Sequence, residues 1–272
     1  MGEKIMYFGL YLLYLPRLLN QILMQRTRFI SFFLPLVFAF LSCHTSYQSQ
    51  SVKFDQHKIT PIKKQDEKII AFLRPYTDSV NKSMNDVIVV SDKVIEKGQP
   101  DGALGDLLAD IMLASARRIF NTHVDAAILN DGGIRMSWLP AGNITRGRLF
   151  ELMPFDNMIV LQKLPGNVLQ SFLDHIASKK GWPVSGITMQ IKDANAIDVK
   201  INGVPLDMAA MYTIALPDYV AGGGDDAAML RNIPQQNNGY IFRDEMIAYL
   251  SGLNKQGLKV NATTENRVSY AK

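Results

Sequence analysis

The 272-residue sequence has one cysteine, four histidines and no block of lysine or arginine residues. A single cysteine excludes an internal disulfide. The formal net charge is +4 and the pI about 9.0. The basic residues are spread along the chain, whereas nucleic-acid-binding proteins typically carry a clustered basic patch. With 47% hydrophobic and 20% charged residues, the composition is that of an ordinary globular protein, long enough for one large domain or two small ones.

The four histidines provide no recognisable metal site. His44, His57, His123 and His175 are far apart in the sequence, and none stands at ligand spacing with another histidine or with a pair of carboxylates. No Ser-His-Asp or Cys-His arrangement is evident either. We therefore expect no catalytic residue, metal ion or cofactor in this chain.

The single cysteine ends an apolar run near the N-terminus. Residues 29–40 read FISFFLPLVFAF, follow Arg26 and Arg28, and lead into Leu41-Ser42-Cys43. A positive start, a short apolar core and small residues at the end are typical of a secretory signal peptide. The Leu-Ser-Cys ending resembles the bacterial lipobox, which implies cleavage before Cys43 and lipid attached to it. The alternative is a membrane-spanning or buried helix with an incidental cysteine, although the run is short for a membrane span.

These features predict four regions along the chain. We expect residues 1–23 to be a misassigned start, with translation beginning at Met24. Residues 24–42 would be the lipoprotein signal peptide, residues 43–60 a polar, flexible tether, and residues 61–272 one domain. The predicted location is the cell envelope, as a lipid-anchored periplasmic or outer-membrane protein.

Hydrophobic periodicity from residue 61 onward predicts alternating helices and strands. Helices are expected over 65–84 (interrupted at Pro75), 103–120, 145–153, 166–179 and 240–253, and strands over 87–90, 124–129, 158–164, 187–191, 196–201, 212–216 and 267–270. This order favours a layered α/β or α+β domain.

Three loops beside predicted strands combine glycine or proline residues, which interrupt regular secondary structure, with side chains that could hold a ligand. They span residues 130–135 (NDGGIR), 154–157 (PFDN) and 219–225 (YVAGGGD). Two aromatic faces could stack on a base, a carboxylate could accept hydrogen bonds from ribose hydroxyls, and an arginine could bind phosphate. The set indicates a nucleoside or nucleotide site. The alternatives are that these are plain turns, that Arg135 forms a surface ion pair and that Phe155 belongs to the core.

Five motifs in order resemble the C-terminal domain of the 5′-nucleotidase family. They are LGDLLAD, ILNDGGIR, LMPFDN, LPGNVLQSFLDH and YTIALPDYVAGGGD, and the resemblance covers residues 61–272. The family includes bacterial UDP-sugar hydrolases, 2′,3′-cyclic-nucleotide phosphodiesterases and animal ecto-5′-nucleotidases. The resemblance implies an α+β fold, a layered domain with mixed β-sheets flanked by helices.

The resemblance also implies which residues bind the substrate. The family's GGIR arginine falls on Arg135, and the aromatic and amide of its PFxN motif fall on Phe155 and Asn157. The second stacking aromatic and the ribose-binding aspartate fall on Tyr219 and Asp225. A glycine whose backbone lines the base pocket falls on Gly181.

Three positions depart from the family pattern. Asp156 replaces the loop glycine of PFGN, which could weaken phosphate binding. Asp131 replaces a glycine before the family's Ile-Arg. Where relatives often carry arginines before the LG helix, the nearest cations are Lys93 and Lys97, so phosphate contacts from that segment are in doubt.

In the family, catalysis belongs to an N-terminal metallophosphoesterase domain with two metal ions. Since this chain has no such residues, our leading hypothesis is the nucleotide- or nucleoside-binding half of a split 5′-nucleotidase. Divalent metals would then sit on a separate metallophosphoesterase chain, although the sequence shows no obvious docking patch for one. Two alternatives remain open: a surface lipoprotein that captures nucleosides without catalysis, and a degenerate domain kept as an interaction surface.

Overall fold

The computed structural model describes residues 66–272. The expected misassigned start (1–23), signal peptide (24–42), tether (43–60) and lipid-bearing Cys43 lie outside the described residues. So do the first residues of the expected domain, 61–65.

Helices and strands alternate along the described part of the chain. The helices are α1 Glu67–Met84, α2 Ala103–Phe120, α3 Arg146–Leu152, α4 Gly166–Ser178, α5 Asp218–Ala221 and α6 Phe242–Lys255. The strands are β1 Val87–Ser91, β2 Ile95–Glu96, β3 Ala126–Ile128, β4 Trp138–Leu139, β5 Gly142–Thr145, β6 Met158–Pro165, β7 Val184–Ser185, β8 Ile187–Lys192, β9 Asn195–Ile201, β10 Val204–Pro205, β11 Met211–Pro217, β12 Gln235–Ile241 and β13 Val268–Tyr270.

A five-stranded mixed sheet with the order β12-β6-β11-β3-β7 forms the centre of the fold. Strand β11 runs parallel to β3 and antiparallel to β6. A second sheet has the order β10-β9-β8-β13, and the pairs β1–β5 and β2–β4 form two small ribbons. The predicted α+β fold with mixed sheets is confirmed.

The inner strands of the central sheet are covered on both faces, which explains why β3, β6 and β11 read as apolar runs. Successive side chains of a strand point to opposite faces. In β3, Ala126 and Ile128 belong to the core that includes Phe172 of α4, whereas Ala127 belongs to the core that includes Leu108 of α2. Both large side chains are fully buried, and each contributes about 1.5–3 kcal/mol by leaving water.

Helix α1 differs from the sequence prediction because Pro75 does not interrupt it. It runs unbroken over eighteen residues, and none of its side chains is buried. The carboxylate of Asp66 caps its first turn by accepting hydrogen bonds from the backbone N–H groups of Lys68 and Ile69. The proline lies on the solvated surface of a helix whose other backbone bonds remain in place.

The last predicted helix begins later than the apolar pattern indicated. Tyr240 and Ile241 belong to β12, and α6 begins at Phe242. Pairing of Ile241 with Met158 of β6 extends the sheet into this segment. The first five residues of β12 are Gln, Asn and Gly, which show no apolar alternation. The strand is therefore recognised only by its pairing with β6.

A charged cluster joins α2 to the chain's last strand. Arg267, 8% exposed, donates two hydrogen bonds to the carboxylate of Asp110 at 2.7 and 2.8 Å and two to that of Glu265 at 3.0 and 3.1 Å. Burial alone would lower the pKa of Arg267, but these bonds and the charges of Asp110 and Asp106 raise it above its ordinary value. The guanidinium thus remains charged inside the fold.

Within residues 66–272, we find no helix with the length and apolar character that crossing a membrane requires.

Candidate functional site

The three loops singled out in the sequence meet at one edge of the central sheet because of its topology. Strands β3 and β11 are parallel, with Ala127 opposite Ala215, so both end at the same edge. Strand β6 is antiparallel to β11, with Ile159 opposite Pro217, so it begins there. The loops after β3 and β11 and the loop before β6 are therefore neighbours.

The first loop is a tight turn held by Lys97. Residues Asp131–Gly133 form a 3₁₀ turn. A side chain at Gly133 would come within 2.9 Å of the Asn130 side chain, so glycine permits this close approach. The Lys97 ammonium contacts the Asp131 carboxylate at 3.0 Å and donates to the carbonyls of Asp131 and Ile134 at 2.9 and 3.0 Å.

Lys97 and Asp131, both named above where the sequence departs from the family pattern, thus contact each other. The charge of Asp131 is balanced by Lys97, whose ammonium also donates two hydrogen bonds to backbone carbonyls of the loop. Lys97 accordingly holds the first loop in shape, and it is not among the residues lining the cavity described below.

The second loop is held by Arg243, the second residue of α6. Its guanidinium donates to the carbonyls of Met153 and Phe155, both at 3.3 Å, and pairs with the Asp156 carboxylate. It also lies over the Phe150 ring, 4.2 Å from the centroid. Asp156, which we expected to weaken phosphate binding, instead forms this ion pair and is not among the residues lining the cavity described below.

One carboxylate ties the second loop to the third. Oδ1 of Asp218 accepts hydrogen bonds from the backbone N–H of Met158 at 3.0 Å and of Tyr219 at 2.9 Å. Met158 directly follows Asn157, whose carbonyl accepts from the N–H of Phe242 at 2.9 Å. The two segments that bear the aromatic side chains are therefore linked through a single oxygen atom.

The third loop places Asp225 at the centre of a hydrogen-bond network. Its carboxylate accepts from the Tyr219 hydroxyl at 3.0 Å and from the Asn130 amide at 2.6 Å. The His175 imidazole donates to its carbonyl at 2.9 Å. A Cβ at Gly224 would come within 2.5 Å of the Tyr219 ring, so glycine lets the ring fold back over the loop. A carboxylate offers about four acceptor positions, which leaves room for two ligand hydroxyls.

The next residue carries a separate charge. Asp226 is exposed, and its carboxylate accepts a hydrogen bond from Lys179 at 2.9 Å, which lowers its pKa. It is not part of the cavity lining.

The three loops enclose a cavity of about 290 Å³. Its lining consists of Asn130, Gly132, Gly133, Arg135, Phe155, Asn157, Tyr219 and Asp225. Phe155 and Tyr219 are 44% and 49% exposed, so their rings are available to a ligand. The Arg135 guanidinium lies 5.7 Å from the Phe155 ring centroid. Cavities of about 370 and 410 Å³ lie elsewhere, but neither has an aromatic side chain in its lining.

Comparison with known proteins identifies the family. Residues 83–232, more than half of the chain, match the family model for the 5′-nucleotidase C-terminal domain. The chain belongs to this family.

Relatives within the 5′-nucleotidase family are much longer than the shared region. The 5′-nucleotidase of Vibrio parahaemolyticus is 30% identical over 218 residues, which is 75% of this chain and 36% of the relative. Protein UshA of Escherichia coli is 32% identical over 146 residues, 51% of this chain and 26% of UshA. The chain thus spans about a third of the length of such relatives.

Solved structures support the same fold. The 5′-nucleotidase precursor of Thermus thermophilus superposes with a TM-score of 0.65 at 26% identity, covering 76% of this chain and 43% of the other. The sulfate thiohydrolase SoxB of Thermus thermophilus, at 19% identity and a TM-score of 0.55, shares the fold.

Five of the six predicted binding residues line one cavity of this 5′-nucleotidase C-terminal domain. They are Arg135, Phe155, Asn157, Tyr219 and Asp225. Gly181, the sixth, is not in the lining. It follows α4 with a φ of +96°, and a Cβ there would come within 2.6 Å of the Pro100 carbonyl. The binding roles of all six residues remain predictions.

Sequence reasoning missed several residues that build the cavity. Asn130 lies in the motif ILNDGGIR and bonds to Asp225, but amides at strand ends are common and gave no separate signal. Lys97, Asp218 and Arg243 act through contacts 34, 60 and 87 residues away along the chain. No local pattern indicates such contacts.

The described residues do not form a metal centre. Among residues 66–272, no three His, Cys, Asp or Glu side chains are placed to hold a metal ion. We therefore derive no metal-dependent step from this domain.

Proposed function

We propose that this domain recognises a nucleotide or nucleoside and is the substrate-binding half of a split 5′-nucleotidase in nucleotide catabolism. The base would stack between Phe155 and Tyr219, and Asn157 would donate to or accept from its edge. The ribose hydroxyls would donate to Asp225, and Arg135 would bind the phosphate end.

The observation that supports this proposal is the convergence of these groups in one cavity. Two exposed aromatic rings, an amide, a carboxylate and a guanidinium come from three segments far apart in the sequence and line the same 290 Å³ space. Base–aromatic stacking contributes about 1–3 kcal/mol per base, and a guanidinium donates readily to phosphate oxygens.

Hydrolysis would require a metallophosphoesterase carrying divalent metal ions, which we propose is a separate chain. Family membership supports a role connected with phosphate ester hydrolysis, and residues 66–272 hold no cluster of three His, Cys, Asp or Glu side chains placed to bind a metal ion. We also propose a lipid anchor at Cys43 in the cell envelope, supported by the sequence of the signal region.

Titration calorimetry with adenosine, AMP and UDP-glucose tests the binding proposal. Tyr219→Ala or Phe155→Ala should each weaken binding about tenfold, because a loss of about 1.4 kcal/mol corresponds to that factor. Tyr270→Ala is a matched control, since Tyr270 is 54% exposed and lies in β13, outside the cavity. Unchanged affinity in the two cavity variants, or no binding at all, would instead favour a degenerate interaction domain.

An assay of AMP hydrolysis with Mg²⁺, Mn²⁺ or Zn²⁺ tests whether catalysis requires a separate chain. Robust turnover by this chain alone would overturn the proposal of a separate catalytic partner. Binding without any partner metallophosphoesterase in the cell would favour a nucleoside-capturing lipoprotein.

Mass spectrometry tests the proposed lipid anchor. The intact mass of the protein purified from the membrane fraction should show a lipidated Cys43, and Cys43→Ser should release the protein from the membrane.

A further inference from the structure

Helix α1 presents a continuous apolar stripe to solvent. Its members are Ile69, Phe72, Leu73, Tyr76 and Val80, spaced by three or four residues so that they share one side of the helix. They are between 48% and 70% exposed. Contiguous exposed apolar surface is a feature of protein–protein interaction sites.

The remaining surface of α1 favours a protein over a membrane as the occupant. Its charged residues are Glu67, Lys68, Arg74, Asp78 and Lys82. They are of both signs and nearly balanced, whereas helices that lie on membranes are rich in Lys and Arg on the polar face. Anchors at i, i+3, i+4 and i+7 are the pattern of a helix that lies in an apolar groove of another protein.

The position of α1 in the chain indicates which protein would cover the stripe. The family match begins at residue 83, at the end of α1, and describes a C-terminal domain. Relatives are about three times as long as the region they share with this chain. In those relatives the rest of the protein therefore precedes the matched region, on the side where α1 lies in this chain.

The C-terminal end of α1 packs against α3, the helix that precedes the loop bearing Phe155. The N–H of Arg146 donates to the Asp86 carbonyl at 2.9 Å, just beyond the end of α1. Gly147 allows the Met84 carbonyl to pack closely against α3. Helix α3 has seven residues, about 10 Å by its rise per residue, and ends three residues before Phe155.

We infer that the apolar stripe of α1 is the docking surface for the catalytic partner. The partner would be a metallophosphoesterase with an apolar groove that accepts one helix. This inference rests on the proposed split of function, but it concerns a surface outside the binding site.

Site-specific photo-crosslinking in the cells that make the protein tests the inference. A photoreactive phenylalanine analogue at Phe72 should crosslink to a protein whose peptides contain the metal-binding motifs of a metallophosphoesterase. The same analogue at Asp78, on the charged face, should give at least tenfold less product. Crosslinks to a second copy of this chain, to its own residues 1–65 or to lipid would each overturn the inference, and so would the absence of a product.

Surface variants separate this inference from the binding proposal. Leu73→Ser combined with Tyr76→Ser should reduce the Phe72 crosslink at least tenfold. The control Asp78→Ser combined with Lys82→Ser should leave it unchanged. Adenosine affinity should be unaffected in both, because α1 does not line the cavity. If the wild-type protein binds adenosine but the Phe72 crosslink is unchanged by the stripe substitutions, the docking inference alone is overturned. If the protein binds no nucleoside, the proposed function is overturned.

Discussion

Replacing Asp106 with asparagine is expected to stabilise the domain near and above pH 7 while changing little at low pH. Asp106 lies in the first turn of α2 and is 2% exposed. Its Oδ2 accepts from the N–H of Glu265 at 3.0 Å, but its Oδ1 has no hydrogen-bond partner, and neither does Oδ1 of Asp101. A proton held between the two carboxyl groups would satisfy both oxygens, and an asparagine amide would take its place.

The magnitude follows from the pKa of this carboxyl group. Burial, and then the neighbouring Asp101 carboxyl group, raise the pKa of Asp106 from 3.8 to about 7. That difference corresponds to on the order of 4 kcal/mol, as an upper bound. The folded domain keeps a proton that the unfolded chain releases between these pH values. The contribution of Asp106 to stability is therefore fully present below pH 4 and is lost as the pH rises through about 7.

Urea unfolding of wild type and Asp106→Asn at pH 4.5, 6 and 8 measures the effect. The free energy of unfolding of the variant minus that of wild type should increase by on the order of 1–4 kcal/mol from the lowest to the highest pH. Asp110→Asn, which removes a carboxylate on the same helix that also contacts Arg267, is the control. A difference that is the same at all three values, or that falls with pH, would show that no proton is shared here.

Three further experiments test how the three loops are held. Asp218→Ala removes the acceptor of two backbone N–H groups and should weaken adenosine binding about tenfold by calorimetry, while Asp218→Asn, which keeps an acceptor oxygen, should restore most of it. In a double-mutant cycle with Lys97→Met and Asp131→Asn, urea unfolding should show a coupling of about 1 kcal/mol, since the pair is mostly buried; additive effects would contradict the contact. Arg243→Gln should destabilise the domain by about 2 kcal/mol, because buried carbonyls lose their donors, and should weaken adenosine binding more than ribose 5-phosphate binding; equal losses would indicate a general effect on folding.

Much of the secondary structure could be predicted because it depends on local periodicity. The apolar face of α2, the alternation in β8 and β9 and the cap at Thr145 all appear where the pattern placed them. Strand β12 could not be found this way, because its residues are polar and the strand exists through pairing with β6. Pro75 was misread for a related reason: a proline weighs against a helix locally, but α1 tolerates it at the cost of one backbone hydrogen bond.

The chemical identity of the candidate site was already determined by the sequence. Arg135, Phe155, Asn157, Tyr219 and Asp225 stand in recognisable motifs, because an aromatic face, a carboxylate or a guanidinium is a property of the residue itself. Their order along the chain also sufficed to suggest the family.

Only the tertiary structure decided what holds these groups in place. The parallel pairing of β3 with β11, and the antiparallel pairing of β6, bring three distant loops to one edge of the sheet. Asp218, Lys97 and Arg243 then bind backbone atoms far away in the sequence, and backbone carbonyls and N–H groups are the same in every residue type. The apolar stripe of α1 shows the same limit, since its periodicity predicts a helix equally well whether the core covers that face or leaves it exposed for a partner.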